Sequence, residues 1–168
     1  MEIEKRYKLN GIIPMNLVTS KKYIEQTYSS IANNHGVPDV RERKTDENGK
    51  LTFTHTVKYK TDDKNSRIEL EQDLSEDLYN QIFDIIGKKP LRKNRYVVPL
   101  DNGLNAEIDE FLDKDIVIIE VEFPDEETMN NFSKSDKPEY FGEEIVGKQS
   151  FSAMIFSQIN NDIKVKFY

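Results

Sequence analysis

Along much of the chain polar and apolar residues alternate with period two, the pattern that sets successive side chains on opposite faces of a β-strand. The alternation predicts strands over residues 2–9, 40–45, 51–59, 66–73, 92–98, 105–111 and 116–123. Turn-forming runs divide them: Asp46-Glu47-Asn48-Gly49 joins the second to the third, and Asp101-Asn102-Gly103 joins the fifth to the sixth, as antiparallel hairpins require. Elsewhere the period lengthens. Residues 16–34 bring Leu17, Tyr23, Ile24, Tyr28 and Ile31 roughly onto one face, which predicts a helix lying on the sheet. A second helix is expected over 76–87, with Ser75 as N-cap, Glu76 and Asp77 in its first turn, Gly87 at its end, and Leu78, Ile82, Phe83 and Ile86 packed inward. Shorter helices are expected over 125–134 and 150–160, the latter capped by Ser150 and carrying Phe151, Met154, Ile155 and Ile159. With no internal repeat or linker, residues 1–168 read as one domain.

An antiparallel sheet ordinarily turns its charged face to water. Here those faces carry a shared chemistry. Glu2, Glu4 and Arg6 lie together, as do Arg41 and Arg43, then Thr52, Thr54, Thr56 and Lys58, with Ile3, Val40, Leu51, Phe53 and Val57 opposite. Arg67, Glu69 and Glu71 follow, then Lys93 and Arg95, Glu107 and Asp109, and finally Glu120 and Glu122. A solvated polar face explains any one of these strands. With helices over the apolar faces of all of them, the charged faces point into a closed barrel, and burying so many charges is costly unless they pair or bind a ligand. Carboxylates suit Mg²⁺ or Mn²⁺, whereas Arg and Lys suit phosphate oxygens, so a metal polyphosphate satisfies both sets.

Composition narrows the classes. A net charge of −7 argues against a nucleic-acid or anionic-membrane coat. The chain has no cysteine, so thiolate zinc sites and thiol nucleophiles are excluded. No apolar leader and no run of about 20 apolar residues is seen, so a cytoplasmic protein without membrane contact is expected. His35 and His55 read as structural, and the aromatic residues as packing groups, Tyr140 and Phe141 being the two nearest the presumed tunnel mouth.

Glu2-Ile3-Glu4-Lys5-Arg6 resembles the ExExK signature of the CYTH, or triphosphate tunnel, superfamily. Ile24 to Tyr28, Val40-Arg41-Glu42-Arg43, Thr56-Val57-Lys58, Arg67 to Glu71, Lys93 to Tyr96, Glu107-Ile108-Asp109 and Glu120 to Phe123 are similar to its later motifs, in order. The resemblance implies an α+β fold, a closed eight-stranded antiparallel barrel with helices outside. It implies a divalent-metal-dependent triphosphatase that releases orthophosphate from tripolyphosphate or an organic triphosphate. Glu2, Glu4, Asp109, Glu120 and Glu122 would hold Mg²⁺ or Mn²⁺; Arg6, Arg41, Arg43, Lys58, Lys93 and Arg95 would clamp phosphates; Glu4, Arg6 and Glu69 would serve catalysis. A homodimer is a further implication. The alternatives are a class IV adenylyl cyclase and a non-catalytic polyphosphate or nucleotide binder. The cyclase ranks below the hydrolase because Met1 directly precedes Glu2, where cyclase-type members carry a His-Phe pair. The chain departs from the family pattern at Arg6, where lysine is usual, at Lys148, where an acid is common, and at the alternating run 163–167, which matches no motif.

Overall fold

The computed structural model describes residues 1–31, 36–147 and 150–160; the notes on His35, Lys148 and 163–167 fall outside them. Nine strands and three helices follow in the order β1 (Glu2–Leu9), β2 (Ser20–Ser30), β3 (Asp39–Glu47), β4 (Lys50–Lys60), β5 (Ser66–Asp73), α1 (Glu76–Ile86), β6 (Leu91–Pro99), β7 (Asn105–Phe111), β8 (Ile116–Phe123), α2 (Glu126–Lys134), β9 (Phe141–Ile145) and α3 (Phe151–Ile159). The sheet runs β5-β4-β3-β2-β6-β7-β8-β1, all antiparallel, and closes by pairing β5 with β1. This is the eight-stranded barrel, with β9 as an extra strand on β1.

Closure is uneven. β1 meets β5 through Glu2↔Arg67 and Ile3↔Ser66, while the far end of the same edge, Arg6 to Leu9, is taken by β9. Gly142 makes that second contact feasible, since a Cβ there would lie 2.8 Å from the backbone oxygen of Lys8. Asn48-Gly49 closes the β3–β4 hairpin with both residues at positive φ, as a two-residue turn between twisted strands demands.

The expectation of a helix over 16–34 is corrected. A short 3-10 turn occupies Met15–Leu17, and Ser20–Ser30 form β2, the strand that completes the eight. Period two prevails because β-branched and aromatic residues pack well on a pleated surface. Ile24, Gln26 and Tyr28 are all buried on one face of β2, and the polar Gln26 in that row masks the alternation.

Two outer layers and one inner plug complete the core. α2 lies on β1 and β8, where Met129 and Phe132 pack with Tyr7, Ile119, Val121 and Phe123. Tyr140 and Phe141 belong to this outer cluster, which places them away from the tunnel mouth. α1 lies on β2, β3 and β4, capped by Ser75, whose side chain accepts from the Leu78 amide. Its anchor is Tyr79, 5.1 Å from Phe53, whereas Leu78 is exposed, contrary to its expected inward packing. Beneath it His55 Nδ1 sits 2.9 Å from Glu42 on the outer face, in keeping with a structural role. Among the described residues no helix lies on the outer face of β5, and Ile68 and Leu70 are exposed.

α3 occupies one end of the barrel. It packs against Tyr28, Leu91, Phe111 and Ile118, residues in register with the charged inner faces of their strands. A helix apolar all round must be enclosed, and Ala153, Met154, Ile155 and Phe156 are all buried. Replacing fully buried Phe156 with Ala is expected to cost about 3–5 kcal/mol in denaturant unfolding, whereas Ile85→Ala, at an 84% exposed position, leaves stability within about 0.5 kcal/mol.

Candidate tunnel site

Because side chains alternate along each strand, the residues sharing parity with Glu4 on β1 or Lys93 on β6 all meet inside the barrel. They enclose a cavity of about 190 Å³. Glu2, Glu4 and Arg6 enter from β1, Arg41 and Arg43 from β3, and Lys58 from β4. Arg67, Glu69 and Glu71 enter from β5, Lys93 and Arg95 from β6, and Glu120 and Glu122 from β8. Glu107 lines an adjoining cavity of about 270 Å³ at the mouth, together with Lys22, Glu47, Lys50 and three threonines. Asp109 is fully buried in the wall. The sequence-predicted residues are thus brought to one place, with Asp109 behind the surface. Ser150 and Ser152 at the start of α3 also line the cavity. Sequence reasoning placed Ser150 only as a cap and missed Ser152, because nothing in the local pattern says that a helix end opens into a barrel.

Most of the enclosed charge is paired. Asp109 receives Lys93 Nζ at 2.5 Å, Arg95 Nε at 2.7 Å and Arg95 Nη2 at 2.8 Å. Arg95 also donates to Glu120 at 2.9 Å and pairs with Glu107. Burial opposes ionisation of Asp109, yet Arg95 and Lys93 outweigh it and hold the carboxyl well below the usual aspartate range. Burial likewise pulls Arg95 down, and Asp109, Glu120 and Glu107 reverse the effect. Lys58 donates to Glu2 at 2.8 and 2.9 Å and sits 3.0 Å from Glu69. Burial, helped by Glu4 and Glu69, still raises Glu2 to about 7 against the pull of Lys58.

The exception is β3. Arg43 donates to the neutral Gln26 at 2.9 Å and makes no ion pair among the described residues. Arg41 donates to Thr56 at 3.3 Å and reaches Glu71 only at 4.0 Å. Burial, Arg41 and Arg95 together push the Arg43 guanidinium down to about 9. Two adjacent enclosed guanidiniums without close acids form a site short of negative charge.

Across the barrel carboxylates crowd one another, although Glu107 and Glu120 also pair with Arg95. Glu107 and Glu120 are register partners, and so are Glu4 and Glu122. Burial and then Glu107 raise Glu122 above the usual carboxylate value. Four crowded carboxylates are a donor set that a hard divalent cation relieves. Among the described residues no three acids already converge on a common point as metal ligands. The chemistry of the donors therefore fits Mg²⁺ or Mn²⁺, with side-chain adjustment needed to bind it.

No protein-family model and no curated protein matches the chain. Solved structures do. The PH1819 protein of Pyrococcus horikoshii OT3 superposes with a TM-score of 0.71 at 19% identity, over 94% of this chain and 99% of that one. The inorganic triphosphatase NE1496 gives 0.56 at 20% identity, over 87% of each chain. HpAC1 from Hippeastrum, described as a putative adenylyl cyclase with a dominant triphosphatase activity, gives 0.54 at 15% identity, over 80% and 85%. These likenesses show that the chain shares the fold of these structures, here a closed eight-stranded antiparallel barrel with one extra strand.

Proposed function

We propose that the protein is a divalent-metal-dependent triphosphatase that holds a polyphosphate chain along the barrel axis and releases orthophosphate from its end. The observation that carries this reading is the Arg41–Arg43 pair, enclosed without close counter-charge and facing a row of mutually repelling carboxylates. A metal triphosphate supplies anion to the first and cation to the second. The triphosphatase relatives in fold support it.

In this reading Arg41 and Arg43 grip the phosphate oxygens bidentately, and Lys58 and Arg6 turn toward the chain from their acid partners. Lys93 and Arg95 remain largely committed to Asp109 and keep the wall positive. Glu4, Glu120 and Glu122 would hold the metal, with Glu2 and Asp109 beside them; the bound ion supplies charge neutralisation to the phosphoryl oxygens. Burial disfavours the Glu4 carboxylate, but Lys58, Arg6, Arg67 and Arg95 keep it ionised. A carboxylate held that low is a weak base, so its task is to orient the attacking water by accepting its hydrogen bond. Glu69, kept ionised against burial by Lys58, steadies that lysine. Water adds to the terminal phosphorus, the bridging P–O bond breaks, the shortened chain leaves with the bridging oxygen, and the proton the water sheds passes to a phosphate oxygen.

Among the described residues the mouth lining offers no aromatic face on which a base or thiazolium could stack, and Ile24 is the one apolar residue there. Tripolyphosphate is therefore the favoured substrate over nucleotide or thiamine triphosphate.

The direct test is orthophosphate release from tripolyphosphate, thiamine triphosphate and ATP with Mg²⁺ or Mn²⁺. Activity on tripolyphosphate that chelator abolishes is expected; cyclic AMP and pyrophosphate from ATP would make it a cyclase, and silence on all three a binding module. Glu4→Gln removes one of the charges proposed to hold the metal and should lower kcat at least about a hundredfold with the fold intact by circular dichroism. Arg43→Gln relieves an uncompensated buried cation, so ligand-free stability should hold or rise while KM for tripolyphosphate increases roughly tenfold or more. Asp109→Asn strands Lys93 and Arg95 and should cost about 3–5 kcal/mol. Because the folded carboxyl titrates below its ordinary 3.8, its contribution is complete above that pH and fades as pH falls beneath it, so the deficit narrows in acid.

A further inference from the structure

We propose that the first turn of α3 is the subsite for the terminal phosphoryl group. The donors are the hydroxyl of Ser152 and the backbone amides of Phe151 and Ser152, with the Arg41 guanidinium as the counter-charge to the phosphate. The proposal rests on the tunnel being a polyphosphate site, and it adds which end of the chain goes where.

α3 is nine residues long, and its cap consumes two first-turn donors: Ala153 N reaches Ser150 Oγ at 3.4 Å, and Met154 N reaches Ser150 O at 3.1 Å. The amides of Phe151 and Ser152 have no intrahelical acceptor, as is general for the opening of a helix. This end opens on the charged cavity, since both Ser150 and Ser152 line it. Ser152 is only 5% exposed, and it lines the cavity.

A second observation comes from the opposite wall. Arg41, 8% exposed, has its Nε buried without a hydrogen-bond partner. Arg41 is the register partner of Tyr28, whose ring packs 5.3 Å from Phe156 of α3, so arginine and helix share the same end of the barrel. Lys93 belongs there too: its ammonium lies 5.6 Å from the Phe111 ring centre, and Phe111 packs 6.3 Å from Phe151. The first-turn amides of α3, the Ser152 hydroxyl and the unpartnered Nε of Arg41 therefore border one chamber, in which Arg41 reaches Glu71 only at 4.0 Å.

The helix N-terminus adds positive potential to these donors and needs no rearrangement to use it. The mouth lies at the other end of the strands, beside the Asn48-Gly49 hairpin and Lys22, Glu47 and Lys50. A chain entering there reaches α3 with its terminal group, which also carries the most charge. The leaving portion then faces the mouth.

Calorimetric titration of the full chain with tripolyphosphate, with Mg²⁺ and again in chelator, tests this. Ser152→Asp places an acid in the first turn, which suits the helix, while its carboxylate occupies the subsite; unfolding temperature should hold and affinity fall roughly tenfold or more. Ser152→Ala should weaken binding roughly threefold. Ser157→Ala, which removes a hydroxyl bonded to Met154 O within the same helix, should bind as wild type. Binding by Ser152→Asp within twofold of wild type overturns the subsite while leaving the tunnel reading intact. A loss in Ser157→Ala equal to that in Ser152→Asp also overturns it, since loosening of the plug then accounts for both. Absence of binding by the wild-type chain itself overturns the tunnel reading.

Discussion

Asp109 is where the barrel's charges are reconciled. One carboxylate, wholly out of water, holds Lys93 and the Nε–Nη2 edge of Arg95, and Arg95 in turn reaches Glu107 and Glu120 on the next strands. Desolvating ions is repaid only where partners are close and hydrogen-bonded. This cluster meets that condition, so β6, β7 and β8 can present charge inward without separating. The arginines of β3 do not meet it, and they remain in place because the surrounding strands, fixed by their own ladders, give them nowhere else to go.

The same arithmetic divides the interior into a structural half and a responsive half. Ion pairs around Asp109 are short and dry and behave as part of the wall. Lys58, shared between Glu2 and Glu69, and Arg41, bonded only to Thr56 at hydrogen-bond distance, sit in partnerships that an incoming anion can outbid. A site arranged in this way stores an electrostatic deficit in the resting protein and cancels it on binding, a recognised cost of functional sites.

Much of this was legible in the chain because period-two alternation is a strong signal when both faces are distinctive. Glu2/Glu4/Arg6, Lys93/Arg95 and Glu120/Glu122 announced an inner face whatever their neighbours did. β2 was hidden: Gln26 stands where an apolar residue would have kept the rhythm, and the spacing of Leu17, Ile24, Tyr28 and Ile31 also satisfies a helix. The position of α3 was written more faintly. Leu91, Phe111 and Ile118 carry the parity of the charged faces yet are apolar, which marks one end of the barrel as filled; no local rule says by what. Which carboxylate meets which cation depends on register and shear, and these follow from the assembled ladders rather than from any one strand. Leu78 facing solvent in place of Tyr79 is a shift of one residue in helix phase, within what capping and periodicity alone determine.

The uneven closure of the barrel has a mechanical meaning. Two register pairs hold β1 to β5, whereas every other neighbouring pair of the eight is zipped along most of its length. Lys58, on the far side of β5, stitches that gap by grasping Glu2 on one bank and Glu69 on the other. Lys58 is thus the clasp of the wall, and under the proposed function, in which it turns to a phosphate, filling the tunnel and slackening its seam become a single event.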